Sequence, residues 1–385
     1  MNSNLSHRLL ASIMNWNAEK LASERAVLEF MGSMKFDDYD RFMPGIRFMS
    51  SLVQWLNRLD QEDRNEAFEF VKEKLVFISS TQMNYLVDLL YDTNIRPLLL
   101  DRATKAVGKP TYMRSNREVL KKFDIVKRSS LVIGLSDGAH TDILRRDASF
   151  SNEQVLTNYY PDAEKIDDLQ KKLLKDLKKM GENNKYYQGI FLIDDFTASG
   201  KSFVRYDKKE KKFKGKLTKI IEQLCADNKI PTEEERKIGI EEKKHLSFLL
   251  DPSQNEIHVD IFFCMATQKA KTNIIEGLNK FLNSRKYKKN VTFQIHVVQE
   301  LDNELSNTII NDQDLMAVIQ KPQYLTDEVK KSEAFKVGNT THPYLGFDEC
   351  ALPLVLSHNT PNNSLPILWQ DSDEFRGLFP RISRH

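Results

Sequence analysis

At 385 residues, with 40% hydrophobic and 29% charged positions, the chain is long enough for one large domain or two ordinary ones, and its make-up is that of a soluble globular protein. A formal net charge of +2 is too small to imply nucleic acid by itself. Cys225, Cys264 and Cys350 lack the spacing of a disulfide framework or zinc site, and neither a signal-type start nor an apolar run of 18 residues occurs, so a cytoplasmic protein with no membrane association is expected.

Residues 1 to about 112 read as helices. Leu21, Ala22, Ala26, Leu28 and Phe30 recur at helical spacing between Ala18 and Gly32, and Met49, Leu52, Val53, Leu56 and Leu59 line one side of the next segment. Glu66–Phe77 and Met83–Tyr91 continue the pattern. Strand-like texture is scarce before Ser129. This stretch is a helical extension, packed on a core or used for partner binding.

From residue 129 the chain alternates strand and helix. Ser129–Leu135 is a β-rich run that ends in Ser136-Asp137-Gly138-Ala139-His140. Asp162–Met180 predicts a charged helix with Ile166, Leu169, Leu173 and Leu177 on one stripe. Gln188–Asp194 is a strand, Lys216–Cys225 a helix, Glu256–Met265 a strand around Cys264, Ala270–Leu282 a helix and Val291–Val298 a strand. Such alternation predicts a parallel, doubly wound sheet. Lys208–Lys216 holds six lysines in nine residues, which suits a solvated hairpin or loop tip or, alternatively, attraction to a phosphate backbone.

The densest chemistry is Gly189-Ile190-Phe191-Leu192-Ile193-Asp194-Asp195-Phe196-Thr197-Ala198-Ser199-Gly200-Lys201-Ser202. A short apolar run bounded by turn residues fits a central parallel strand, and ligands of open α/β sheets sit outside the carboxyl ends of such strands. The turn from Thr197 to Ser202 can aim backbone N–H groups and three hydroxyls at one phosphate, assisted by the positive end of a following helix. Two acids beside a phosphate cradle suit a phosphorylated ribose. A triphosphate P-loop is excluded because the position that needs its first glycine is Asp195.

This stretch resembles the phosphoribosyl-diphosphate signature of the type I phosphoribosyltransferases, in which four apolar residues precede two acids and a Thr-Gly-Thr-like turn. By that resemblance Asp194 and Asp195 would bind the ribose hydroxyls, directly or through magnesium-bound water, and Thr197, Ala198, Ser199, Gly200 and Ser202 would form the 5′-phosphate loop. Lys201 departs from the commoner pattern and would add a charge there. In that family the turn after an early strand grips the donor's pyrophosphate. Here Ser136, Gly138 and Ala139 would supply N–H groups, and His140, Arg145 and Arg146 positive charge. Asp137 departs from the pattern, since an acid repels pyrophosphate unless magnesium intervenes. A plain turn with His140 on the surface is the alternative.

The C-terminal segment adds Ser357-His358-Asn359-Thr360-Pro361-Asn362-Asn363 after an apolar run. His358 and Asn359 suit base or sugar recognition, or serve a rigid turn; Trp369 reads as a core anchor rather than a base-stacking platform. With this ending the chain is similar to phosphoribosyltransferase-like proteins of bacterial conflict systems, some encoded beside retron reverse transcriptases. The expected fold is therefore a type I phosphoribosyltransferase-like α/β core at 113–345, between an N-terminal helical region at 1–112 and a C-terminal cap at 346–385. The resemblance implies binding of phosphoribosyl diphosphate and magnesium, transfer of ribosyl phosphate to a nitrogen acceptor, and a role in antiphage defence beside a reverse transcriptase or ATPase partner. A non-catalytic ribose-phosphate sensor acting through protein or nucleic-acid partners is the competing expectation.

Overall fold

Strand and helix alternate as the pattern from residue 129 predicts, and the strands assemble into a parallel sheet. The computed structural model describes residues 3–43, 45–157, 161–227, 245–332, 335–336 and 340–381. Among these the strands are β1 (Val76–Ile78), β2 (Ser130–Gly134), β3 (Val155–Leu156), β4 (Gly189–Thr197), β5 (Arg205–Asp207), β6 (Lys212–Lys214), β7 (Glu256–Thr267), β8 (Asn290–Leu301) and β9 (Leu354–Leu356). The chain divides into two units, Met1–Met83 with Asp302–His385, and Asn84–Leu301.

In the second unit five strands pair in the order β3-β2-β4-β7-β8, every neighbour parallel. This is a mixed α/β fold, a parallel five-stranded sheet flanked by helices. The chain runs from β2 outward to β3, then returns to the other side of β2 as β4. That reversal opens a crevice outside the carboxyl ends of β2 and β4, where open α/β sheets take their ligands.

The elements form for local reasons. The helix Ala163–Lys179 is capped by the Asp162 side chain, which accepts from Lys165 N at 2.7 Å. Its stripe of Ile166, Leu169, Leu173 and Leu177 is fully buried, each side chain contributing about 1.5–3 kcal/mol relative to exposure. That stripe shares one hydrophobic cluster with Leu131 and Ile133 of β2, Ile190 and Leu192 of β4, and Ile261 and Phe263 of β7. The opposite face of the sheet holds Phe191 edge-on to Phe262, centroids 5.3 Å apart. Cys264 is wholly buried and serves packing.

The first unit is largely helical, with Phe36, Phe48, Trp55, Phe77 and Phe379 in its core. Two expectations change here. The helical pattern through Phe77 stops at Lys74, and Val76–Ile78 instead pairs in parallel with Leu354–Leu356. In the second unit, β4 runs three residues beyond its expected end, so that Asp195, Phe196 and Thr197 are strand residues. No helix among the described residues is long and apolar enough to cross a membrane.

Candidate functional site

Asp194 and Asp195 lie in the carboxyl half of β4, just past its last pairing with β2, 2% and 7% exposed. Strand alternation sends their carboxyls to opposite faces of the sheet. The Ser136 hydroxyl, from the turn after β2, donates to Asp194 Oδ1. Lys216 Nζ donates to Asp194 Oδ2 at 3.0 Å and lies 4.9 Å from the centre of the Phe203 ring. Asp195 N–H adds a bond to Asp194 Oδ1 at 3.2 Å. Burial, and then the adjacent Asp195 charge, push the Asp194 carboxyl up to about 7 against the pull of Lys216 and Ser136. On the other side, a His140 ring nitrogen and an Asp195 carboxylate oxygen lie within 4.8 Å of each other.

The two turns thus converge. Gly134 pairs with Ile193, and Leu135 N–H donates to Ile193 O at 2.8 Å, which holds the start of one turn beside the other. Asp137–Ala139 forms a single tight helical turn in which Ala139 N–H donates to Ser136 O at 3.1 Å. That N–H is engaged within the turn, leaving Ser136 and Gly138 as the candidate ligand donors. His140 adopts a left-handed conformation, φ 47°, immediately before the helix Thr141–Asp147. That helix carries Arg145 and Arg146 onward to the wall of a separate cavity, lined by residues preceding β2 and β3.

The loop after β4 leads, as expected, through a charged insertion to the helix Lys216–Cys225, although the small-residue turn does not itself open that helix. Thr197 is still in the ladder, paired with Ala266, and Ala198 and Ser199 are buried. Ala198 O accepts from the Thr267 hydroxyl and Ser199 O from Asn273 Nδ2 at 2.9 Å, while Lys201 N–H reaches Ser199 Oγ at 3.4 Å. Gly200 has φ 73°, and a Cβ there would stand 2.8 Å from Ala270 O and 2.9 Å from Ile274 Cγ1. Glycine is required by the helix Gln268–Asn283 behind it, so a larger residue would strike that helix rather than fill ligand space.

No helix opens directly from this turn. Phe203 and Val204 N–H both donate to Gly200 O, as in a first helical turn, and the chain then leaves as the antiparallel hairpin β5–β6. On return, Lys216 N–H donates to Ser202 O at 3.1 Å and Leu217 N–H to Phe203 O at 3.0 Å, before the helix Lys216–Cys225 continues. Without residues 205–214 these would be ordinary i to i+4 helical bonds. The hairpin is an insertion into the first turn of the helix. Gly215 makes the re-entry, because a Cβ there would lie 2.2 Å from Phe203 O.

The hairpin answers the lysine-run expectation. Lys212 pairs with Glu210 at 2.7 Å, and Lys214 with Asp207 at 2.8 Å and with Glu210. Its charge is thus partly balanced within the hairpin. Lys216 belongs elsewhere: composition assigns it to the run, whereas the fold delivers it to Asp194. The signal is Gly215 followed by the helical stripe Leu217, Ile220, Ile221 and Leu224, all buried, which makes Lys216 a first-turn residue rather than a loop tip.

His358 and Asn359 belong to the first unit. His358 O accepts from Arg41 Nε at 2.8 Å, and Asn359 Oδ1 accepts from Thr360 N at 3.0 Å. Asn363 Nδ2 donates to Phe347 O at 3.0 Å, and Trp369 Nε1 to Ser364 O at 2.7 Å. The asparagines at 359 and 363 and Trp369 thus brace backbone turns, as their residue types favour.

No curated protein and no solved structure matches the chain. The family model PRTase-CE matches residues 52–381. That span covers the strands of both units and the two converging turns. The chain therefore belongs to the PRTase-CE family, a phosphoribosyltransferase-like family.

Proposed function

We propose that the carboxyl ends of β2 and β4 bind phosphoribosyl diphosphate and that the protein transfers its ribosyl phosphate to a nitrogen acceptor. The observation that carries this reading is the meeting of Ser136 and Lys216 on Asp194 at the sheet's reversal point. A buried acid with a raised pKa, beside a second acid in a crevice, is the arrangement expected of a site rather than a core. Asp194 and Asp195 face the ribose hydroxyls, the 197–202 loop takes the 5′-phosphate, and Ser136–His140 takes the pyrophosphate. In the reaction the acceptor nitrogen's lone pair forms the C1′–N bond, the C1′–O bond breaks, and pyrophosphate leaves with that electron pair. The proton on the new nitrogen passes to solvent. Positioning and fixed charges supply most of the acceleration.

The acid pair also suits magnesium. Two acids on consecutive residues of β4, one held up to about 7 by burial and its neighbour, carry charge that a divalent cation nearby would offset. Magnesium held by either acid, directly or through bound water, would neutralise the donor's pyrophosphate. A bacterial antiphage role follows only from the resemblance to conflict-system proteins and belongs to the same proposal.

One observation favours a second reading, a ribose-phosphate sensor without turnover. The exposed Asp137 and the engaged Ala139 N–H weaken the pyrophosphate turn as a grip. Melting with phosphoribosyl diphosphate and magnesium tests both readings. At a hundredfold excess over Kd the native state gains about 2.7 kcal/mol, a rise of several degrees that Asp194→Asn with Asp195→Asn removes. Pyrophosphate release on adding candidate nitrogen acceptors marks the enzyme; a shift without release marks the sensor. No shift at millimolar donor would overturn both.

A further inference from the structure

A second cavity, of about 720 Å³, lies beside the amino ends of β2 and β3. The parallel sheet places it at the opposite end of β2 from Ser136, roughly 15 Å away along the strand. Its wall contains five cations, Lys121, Lys127, Arg128, Arg145 and Arg146, and one acid, Asp124. Four of these cations sit in the last turns of the helices Arg117–Arg128 and Thr141–Asp147, where the helix dipole tolerates them. The dipole does not explain how little else they bind. Arg146 pairs with Asp142 at 2.9 Å, but Lys121, Lys127 and Arg145 form no ion pair among the described residues.

Arg128 is the telling member. It is 6% exposed, and its Nε donates to Asp176 at 3.0 Å. Both terminal nitrogens are buried without a hydrogen-bond partner among the described residues. The nearby Tyr187 hydroxyl donates to Glu153 O at 2.8 Å and feels the Arg128 charge. Buried donors left unmade are costly and rare, and a polar ligand is one way such a group is satisfied. Lys127 is half-buried between the rings of Tyr91 and Phe150, 5.6 and 5.5 Å away, and burial lowers its pKa. An anion would favour the charged form of Lys127 and give the buried Arg128 donors a partner. Phe150 and Met180 give the same cavity an apolar side, and its volume falls in the range of small-molecule sites.

We propose that this cavity binds a phosphorylated small molecule of nucleotide size, with its phosphates on Arg128, Arg145 and Lys127 and its apolar part against Phe150 and Met180. Guanidinium groups suit phosphate through paired N–H donors. The site is separate from the acid pair, so it is open to a ligand that reports on the cell rather than one that reacts.

The test is titration calorimetry on the full chain in magnesium-free buffer with EDTA, using ATP and inorganic triphosphate as probes. Binding should weaken about tenfold or more in Arg145→Ser and in Lys127→Gln, the loss expected for one charge-assisted contact. It should weaken further with added salt and stay unchanged in Asp194→Asn. Tighter binding of ATP than of triphosphate assigns a role to the apolar wall; equal affinities assign recognition to phosphate alone. No heat with either probe at millimolar concentration would overturn the proposal, as would unaltered affinity in both pocket variants or loss of binding in Asp194→Asn. Melting curves confirm that each variant is folded. Should Lys127→Gln fail to fold, Arg145→Ser, in a half-buried helical position, decides alone.

Discussion

Asp260 and Asp194 are buried aspartates on adjacent strands, yet their surroundings drive them in opposite directions. Asp260, in the body of β7, is wholly buried and ringed by Arg102, by His296 Nε2 at 3.1 Å and by His258 Nε2 at 3.4 Å. Burial alone would raise its pKa, but the histidine hydrogen bonds and the Arg102 charge hold it well below the ordinary carboxylate range. Asp194 has one cation and one hydroxyl, with a second acid as its neighbour, and rises to about 7. The difference separates two uses of a buried charge. Saturated with partners, the carboxylate is part of the framework; undersupplied and at a strand's carboxyl end, it is poised to receive a ligand.

The comparison can be broken most forcefully at Asp260. Asp260→Asn should lower stability by about 3 kcal/mol, since it leaves the Arg102 charge against a neutral group in a buried setting. Chemical denaturation would show this directly, and a wild-type midpoint would mean that Asp260 is not structural. Asp194→Asn should do the reverse. In the unfolded chain both carboxyls titrate near 4. Folded Asp194 titrates near 7, so the native state holds a proton that the unfolded chain releases between about pH 4 and 7. Stability therefore falls as pH rises through that window. Removing the charge should stabilise the protein by roughly 2 kcal/mol at pH 8 and by little at pH 4, while abolishing the donor-induced melting shift. Asp260 has the opposite dependence: its folded pKa is depressed, so its contribution is complete at neutral pH and is lost as pH falls below about 4. Melting curves at pH 4, 6 and 8 for the two variants would resolve the crossing.

The smallest expected effect is at Gly200. Gly200→Ala meets both a positive φ and the Ala270 carbonyl, and should cost about 1–2 kcal/mol. If stability is unchanged but donor binding is lost, the residue faces the ligand rather than the helix Gln268–Asn283.

The sequence shows the sheet well, because its signals are local. Buried apolar runs mark β4 and β7, and the period of Ile166, Leu169, Leu173 and Leu177 marks a helix that the structure places at Ala163–Lys179. The acid pair is legible for the same reason, as two charges ending an apolar run. What is not legible depends on distant partners. Val76–Ile78 continues a helical stripe in sequence and becomes a strand only because Leu354–Leu356 pairs with it. Lys216 is legible as a helix start, but its bond to Asp194 shows only once the hairpin closes and returns it there. The cationic cavity at the amino ends of β2 and β3 has no motif at all, since four of its five cations come from the ends of two helices. Asp260 likewise looks like one polar residue in an apolar strand until Arg102, His258 and His296 surround it.

The hairpin β5–β6 has a consequence for how this protein can be handled. Its two ends leave and rejoin a helix at hydrogen bonds that already match helical spacing, while Phe213 packs on Phe281 and pins the hairpin's base to the core. A longer excursion at the exposed tip need not disturb Lys216 at all, whereas a cut back to Gly215 would remove Phe213 from the core. The exposed tip at Lys208–Lys211 is therefore the place to mount a fluorophore or affinity tag, on a hairpin whose base rejoins the helix that carries Lys216.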